Sequence, residues 1–392
     1  MKKFLYLTVL FLFATAAANA AQIVRGPYTE DPEQTTAVIK WAANEPTASW
    51  LEYGPEGKCS QLMLISSKKM SHSTTLHGLI PNTQFCYKVY VQNNAGNGVQ
   101  APFEGTFKTL SSPERKIVNF MVLGKTSDAT FTSKDIKNAM AQSMAAYNSD
   151  FLIHTGDIAS NGTPEATDAE FFTYYQSVLK NNPLLIALGE AEYGPNRASA
   201  EGKYFLSNNY KKIHSMPWSK GTPNYYYIDT ANARLIFIDT NNLYEALAAP
   251  SLSPKSSQYE WLKKSLATTD NGKWKIVIMH HPVYSSGATP DLLSHTLAPL
   301  FEAQKVNLVI QGHQGAYERT KPIRNGQSAK SGPIYLTIGG GNLLEPASYK
   351  NEWTAKYYEL PHFAQIGIVD RKLSIRVFTH ENKRIDALDI YF

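Results

Sequence analysis

Residues 306–319 read VNLVIQGHQGAYER. The apolar run ending at Gln311 has the composition of a buried strand. Gly312 turns the chain, His313 follows at once, and the segment leaves through Tyr317 and the ion-pairing Glu318 and Arg319. A histidine at the carboxyl end of a strand in an α/β protein stands where such folds keep their ligands. Alone, it is equally an ordinary loop residue. Three other stretches end in the same manner: LIHTGDIAS at Asp157, LLIALGEAE at Glu190 and KIVIMHHP at His280.

Those four endings lie in a region of alternating elements that begins at Ile117. IVNFMVLG, DFLIHTG, PLLIALG, RLIFIDT, KWKIVIMHHP and NLVIQGH read as strands. SKDIKNAMAQSMAAYN has helical spacing, with Ser133 or Thr132 as its N-cap, and further helices are expected over Phe171–Leu179, near Gln258–Leu266 and over Leu292–Gln304. Strands alternating with helices imply a layered α/β core. The tail, PIYLTIGGG, FAQIGIVDR, KLSIRVFT and RIDALDIYF, is β-rich and is expected to complete a second sheet. No internal repeat or low-complexity tract stands out.

Residues 22–110 have a different texture. TAVIKWAA, ASWLEYG and QFCYKVYVQ are short β-branched and aromatic runs separated by Pro, Gly and Asn, which reads as an all-β sandwich. Leu79, Phe85, Tyr87 and Val89 share one parity and should face its core, which leaves Cys86 on the other face. Cys59 and Cys86 are the two cysteines of the chain and form a candidate disulfide in an oxidising compartment. The polar stretch SSPERK, residues 111–116, reads as a linker, and residues 117–392 as the second domain.

Residues 1–20 read as a leader and not as structure. Lys2 and Lys3 precede the apolar run FLYLTVLFLFATAAA, and Ala18-Asn19-Ala20 has the form of a signal-peptidase site. Nothing later approaches the ~20 apolar residues of a membrane span. The expectation is export to a periplasmic or extracellular space, with no transmembrane segment. The formal charge is +5, and removing Lys2 and Lys3 lowers it by two, to +3. The basic residues are scattered, which argues against a nucleic-acid partner. A hydrophobic content of 43% is enough to fill two cores.

Carboxylates and imidazoles gathered at strand ends suit zinc, iron or manganese. Asp157 and Glu190 each follow a glycine, which lets the chain turn sharply beneath a cation. Two adjacent histidines on a strand face opposite ways, so His280 and His281 should not both point into a site. Each residue also has an ordinary reading: Asp157 as a helix cap, Glu190 as a solvated loop charge, His280 as a core imidazole. Four such endings in one domain favour a shared site. A phosphate-binding P-loop around Gly124-Lys125-Thr126 is excluded, because the position that pattern reserves for its first glycine holds Asn119.

The order and context of these stretches resemble the metallophosphoesterase (calcineurin-like) superfamily, in its purple acid phosphatase-like branch with an N-terminal fibronectin type III-like domain. That family carries five blocks, GDxG, GDxxY, GNH[ED], VxxH and GHxH. Here they stand as Gly124-Lys125-Thr126-Ser127, Gly156-Asp157-Ile158-Ala159-Ser160, Gly189-Glu190-Ala191-Glu192, Val277-Ile278-Met279-His280 and Gly312-His313-Gln314-Gly315. The tail Ala316-Tyr317-Glu318-Arg319 and the turns HHPVYSSG and GGGN also match. The resemblance implies a two-metal phosphoester hydrolase acting on a phosphorylated small molecule or other phosphoester. It also implies where this chain departs from that pattern. One metal's ligands fall on Lys125, Asp157, Ser160 and Gly315, of which three cannot serve, and an ammonium stands where a carboxylate is needed. The other metal's ligands fall on Asp157, Glu190, His280 and His313, a set able to hold one divalent ion.

Two further consequences follow from the resemblance. Lys125 is expected to pair with Asp157 in the emptied position. The block-three histidine that sits near the leaving group is Ala191 here, which leaves Glu192 as the candidate acid, or as a structural residue. Loss of the tyrosine ligand at Ser160 implies a colourless protein, since the family's purple comes from tyrosinate on ferric iron. Two function classes stay open. One is an exported phosphoesterase with a reduced, mononuclear site; the other is a non-catalytic relative, with or without a metal, that binds a ligand or a protein.

Overall fold

The computed structural model describes residues 21–92, 102–112, 116–127, 133–244, 248–270, 272–287, 291–340 and 350–391. The leader expected over 1–20, the centre of the expected linker and the second half of the GGGN turn lie outside these residues. The strands of the N-terminal part are β1 (Ile23–Glu30), β2 (Ala37–Pro55), β3 (Gln61–Leu76), β4 (Gln84–Gln92) and β5 (Phe103–Lys108). β2 is long enough to serve two layers. Its first half pairs antiparallel with β1, its second half with β4, and β3 runs along its other edge. On β4 the burial alternates strictly, with Phe85, Tyr87, Val89 and Val91 inward around Trp41, Leu51, Leu79 and Phe107. This is the period of a half-buried strand, and the result is a β-sandwich-like unit.

The rest of the chain builds two sheets. The first takes β6 (Ile117–Leu123), β7 (Phe151–His154) and β8 (Leu184–Ile186) in parallel. The second takes β9 (Tyr226–Asp229), β10 (Ala233–Phe237), β11 (Trp274–Ile278), β12 (Leu308–Gln311) and β13 (Tyr317–Thr320), followed after the small hairpin β14 (Ile323–Arg324) and β15 (Gln327–Ser328) by β16 (Ile334–Thr337) and β17 (Thr354–Tyr358). Its order is β17-β13-β16-β12-β11-β10-β9. The parallel members β10, β11, β12 and β16 are almost wholly buried. Such continuous apolar runs are what a sheet covered on both faces requires.

The tail departs from expectation. β16 joins the second sheet, but β18 (His362–Val369), β19 (Lys372–Thr379) and β20 (Arg384–Tyr391) extend the first, with β18 antiparallel to β6. Sheet membership is set by tertiary packing: Phe363, Ile366, Ile368, Leu373, Ile375 and Val377 close the core between the sheets. The expected helices form at Lys134–Ala145, Thr173–Leu179, Ser257–Ala267 and Asp291–Ala303. Ser133 caps the first by accepting the Ile136 N–H at 3.3 Å.

The N-terminal unit is locked to the α/β domain. β1 touches β8 in parallel at Glu30 and Leu184, so the sandwich is continuous with the first sheet. Arg25 grips Asp168 with two bonds of 2.5 and 2.9 Å. Buried Glu30 accepts from the Ser215 N–H and meets His214 Nδ1 at 2.7 Å, and Glu33 pairs with Lys220 at 2.6 Å. Part of the 193–224 segment, without an assignable role in the sequence, is therefore a clasp on the sandwich. Cys59 and Cys86 are neighbouring free thiols; burial, then contact with Cys86, pushes the Cys59 thiol up to about 12.

Candidate metal centre

Every candidate residue lies just beyond the carboxyl end of a parallel strand. Lys125 follows β6, Asp157 follows β7, Glu190 follows β8, His280 and His281 follow β11, and His313 follows β12. Edges of two facing sheets thus deliver them to one cleft. The turns are tight enough to fix residue type. Gly156 has φ +97°, and a Cβ there would lie 2.7 Å from His280 Nδ1; Asp157 itself sits at φ +56°. At the other turn it is His313, not Gly312, that carries the left-handed backbone, with φ +66°. Non-glycine residues rarely adopt this conformation, and where they do the surrounding structure imposes it.

Glu190, His280, His281 and His313 bring one ligand atom each within 4.8 Å of one another. Glu190 Oε2 is 2.9 Å from His280 Nε2 and 3.3 Å from His281 Nε2; Oε1 is 3.5 Å from His313 Nδ1. His313 Nδ1 is 3.3 Å from His280 Nε2. His280 Nδ1 lies 2.7 Å from the Thr155 carbonyl and so carries the proton it donates, which turns Nε2 toward the cluster. His281 Nδ1 is 2.8 Å from Thr240 Oγ1.

The inclusion of both histidines corrects the expectation that one of them faces away. β11 ends at Ile278, so His280 and His281 stand in the bend after it and strand alternation no longer governs them. The Gln311 side chain holds that bend against β12. It accepts from the Val283 N–H at 3.0 Å and donates to the Tyr284 carbonyl at 2.5 Å and to Thr337 Oγ1 at 2.9 Å.

Asp157 occupies the other half of the cleft. Its Oδ2 is 3.2 Å from Lys125 Nζ and 3.4 Å from His280 Nε2, and its Oδ1 accepts the Ala191 N–H at 3.0 Å. Burial disfavours its charge, but His280, with Lys125 behind it, holds the carboxyl well below the usual carboxylate range. Burial likewise opposes the Glu190 charge, and the three histidines hold that carboxyl far lower still. His280 loses proton affinity to burial and regains more from Asp157 and Glu190, so it stands well above an ordinary imidazole. Burial holds His281 neutral, at about 3.

Glu192 is placed otherwise than a catalytic acid requires. It is 5% exposed, and its oxygens accept N–H groups from Asp157 at 3.0 Å, Ile158 at 2.9 Å and Gly189 at 2.7 Å. It braces the turns after β7 and β8 against each other. Burial, then the charge of Asp157, pushes its carboxyl up to about 7, with the backbone N–H groups pulling the other way. Ser160 faces out of the cleft, donating to Glu170 at 2.6 Å, and Gly315 offers no side chain. Sequence reasoning passed over His154, whose buried ring accepts the Gly156 N–H at 3.1 Å and meets Thr126 Oγ1 at 3.1 Å, so that it supports the turn of Asp157 from behind.

The cluster fits a cation. Glu190 Oε2 is buried and lacks any hydrogen bond of good geometry, although two imidazole nitrogens lie within 3.3 Å. A carboxylate oxygen gathered with three imidazoles in this way is a donor set suited to a cation.

Residues 126–317 match the calcineurin-like phosphoesterase family. That segment is a calcineurin-like phosphoesterase domain, of a family that is metal-dependent. The chain is similar to purple acid phosphatases: purple acid phosphatase 18 of Arabidopsis thaliana is 26% identical over 330 residues, covering 80% of this chain and 70% of that one. The fold agrees. The purple acid phosphatase PPD1 from yellow lupin (Lupinus luteus) seeds superposes with a TM-score of 0.76 at 18% identity, over 93% of this chain and 74% of the other. GAP50, described as the anchor in the inner membrane complex of Plasmodium, matches with a TM-score of 0.53 at 18% identity, over 71% of this chain and 90% of its own.

Proposed function

We propose that this chain is an exported purple acid phosphatase-like hydrolase that works with one divalent ion and cleaves phosphoesters slowly or with altered specificity. The observation that carries this reading is Lys125 Nζ, 3.2 Å from an Asp157 carboxylate that is 2% exposed. The oxygen a second cation would need is engaged by a fixed ammonium, while the cluster anchored by Glu190, His280 and His313 beside it keeps its ligating atoms turned inward. Zinc, iron and manganese are the candidate ions.

A bound ion supplies Lewis-acid polarisation of a phosphoryl oxygen and lowers the pKa of water. The remaining work falls to side chains of this protein. Lys125, 16% exposed on its side chain, presents a permanent positive charge at the cleft, in place to stabilise charge that grows on a phosphoryl group. Thr155 and Gln311 hold the histidines in place. With Ala191 at the block-three histidine position and Glu192 engaged by three backbone N–H groups, no side chain of that block is free to protonate a leaving group. Esters of acidic alcohols, such as aryl phosphates, should therefore be turned over far better than alkyl esters.

The test is metal content per chain by elemental analysis, together with turnover of a chromogenic aryl phosphate. Close to one equivalent is expected, lost with the activity in a His280→Ala/His313→Ala double variant. Two equivalents would restore the ordinary two-metal mechanism. A visible tyrosinate–iron band would overturn the placement of Ser160.

The second reading is a non-catalytic binding module. The engaged Glu192 and the side chain missing at Ala191 favour it, and the fold has a described anchoring member in GAP50. Metal-loaded protein that binds an aryl phosphate by calorimetry without hydrolysing it would decide for this reading.

A further inference from the structure

The family pattern puts Asp157, Glu190, His280 and His313 on the retained ion. The distances redistribute that set. Four donors around a tetrahedral ion at about 2.0–2.1 Å stand about 3.3 Å from one another. Within the cluster, whose ligand atoms all lie within 4.8 Å of one another, four contacts measure 2.9, 3.3, 3.3 and 3.5 Å, the last through the other Glu190 oxygen, and His281 supplies one of them through its contact with Glu190. Its ring centroid is 4.8 Å from that of His280 and 4.8 Å from that of His313. Ring rotation is fixed from behind, because Thr240 Oγ1 meets His281 Nδ1 at 2.8 Å and accepts the His281 N–H at 3.1 Å. Metal-bound histidines are commonly held by such a partner on the far nitrogen. Asp157 Oδ2 also stands 3.4 Å from His280 Nε2, but both Asp157 oxygens are engaged within the protein, Oδ1 by the Ala191 N–H and Oδ2 by Lys125.

We infer that His281 is a metal ligand in this protein and that Asp157 is not: the shell is three imidazoles and one carboxylate, His280, His281, His313 and Glu190. This rests on the one-ion reading above and deepens it. An imidazole-rich shell favours zinc, cobalt, nickel or copper over manganese or magnesium. Four protein donors also fill a tetrahedral shell, so turnover needs a fifth position, which accounts for a slow enzyme.

The probe is zinc alone, loaded into the full chain and followed by chelator competition and by X-ray absorption at the zinc edge. The wild-type spectrum should fit three imidazoles; a fit with two imidazoles and two carboxylates overturns the inference without needing any variant. His281→Gln should weaken zinc at least about tenfold and remove one imidazole from the fit, while Thr240→Ala weakens it several-fold by freeing the ring. Asp157→Asn should leave affinity within about threefold. The reverse ranking, with Asp157→Asn the damaging change, sinks the inference and leaves the one-ion reading standing. A wild-type protein that takes up no zinc, cobalt, iron or manganese sinks both.

Discussion

The two halves of the strand-end cleft solve the same electrostatic problem in opposite ways. In one, Glu190 faces three imidazoles, and His280 among them is held well above an ordinary imidazole by Asp157 and Glu190. In the other, every group is already satisfied inside the protein: Lys125 meets Asp157, the Ala191 N–H donates to Asp157, and Ser160 turns away to Glu170. A buried carboxylate needs a positive partner. In the first half that partner is a proton on His280, which an incoming ion would displace, and in the second it is the ammonium of Lys125. On the proposal above, losing a metal position therefore did not leave a hole in the charge balance, because one cation was exchanged for another.

The largest effect should come from the residue beneath both halves. Glu192→Ala leaves three buried backbone N–H groups without an acceptor, at about 1–3 kcal/mol each, so stability should fall by several kcal/mol in urea unfolding. Metal binding should fall with it, since the turns that bring Asp157 and Glu190 together lose their tie. Glu192→Gln gives the sharper contrast. If that variant kept full stability and lost only turnover, Glu192 would be a catalytic acid after all, and the bracing role assigned to it would be wrong.

Next comes the pair itself. Lys125→Met removes one of the two positive charges beside a carboxylate that is 2% exposed and leaves it His280 and the Ala191 N–H, so the cost should stay below the ~3 kcal/mol of a fully broken buried pair. Adding Asp157→Asn should recover most of that loss, and the double variant should still bind one equivalent of metal. Recovery without loss of metal would show the two halves to be energetically separable. An unchanged Lys125→Met protein would mean that the ammonium balances nothing.

Much of this was legible in the sequence, and what was not has identifiable causes. The strand-end carboxylates and imidazoles were readable because apolar runs and their glycine stops are local features. Asp157, Glu190, His280 and His313 do arrive in one cleft, and the Lys125–Asp157 contact was expected from the resemblance, which puts both residues at one metal position. His281 was hidden because the reading carried strand alternation two residues past the end of β11. Glu192 looked like a free acid since nothing local shows that backbone N–H groups 34 and 35 residues away take its oxygens. The last three strands of the tail, β18 to β20, were assigned to the wrong sheet for a related reason. Amphipathic strands announce a buried face but not the neighbour they will pair with.

The smallest effect tests how firmly the self-sufficient half is walled in. The Gly339–Gly340 turn lies against the loop after β6, so close that a Cβ on Gly340 would sit 2.6 Å from the Lys125 carbonyl. His362 pins that turn from behind. Its fully buried ring accepts the Gly339 N–H at 3.1 Å on Nε2 and donates from Nδ1 to the Leu360 carbonyl at 2.6 Å. Burial lowers its pKa to about 4, with the Leu360 carbonyl pulling the other way. Because the folded value lies below the ~6.5 of an exposed imidazole, the unfolded chain takes the proton first. The contribution to stability is whole above about pH 6.5 and drains away as pH falls toward 4, reaching a loss of about 2 kcal/mol by pH 5. Urea unfolding of wild type and His362→Gln at pH 7 and pH 5 separates this from other acid effects. The variant should start less stable at pH 7, for want of two hydrogen bonds, yet lose about 2 kcal/mol less on acidification. If both proteins lose the same amount, acid sensitivity resides elsewhere, the cluster histidines being the first place to look, and the contrast between an open half and a sealed one would rest on the Lys125–Asp157 pair alone.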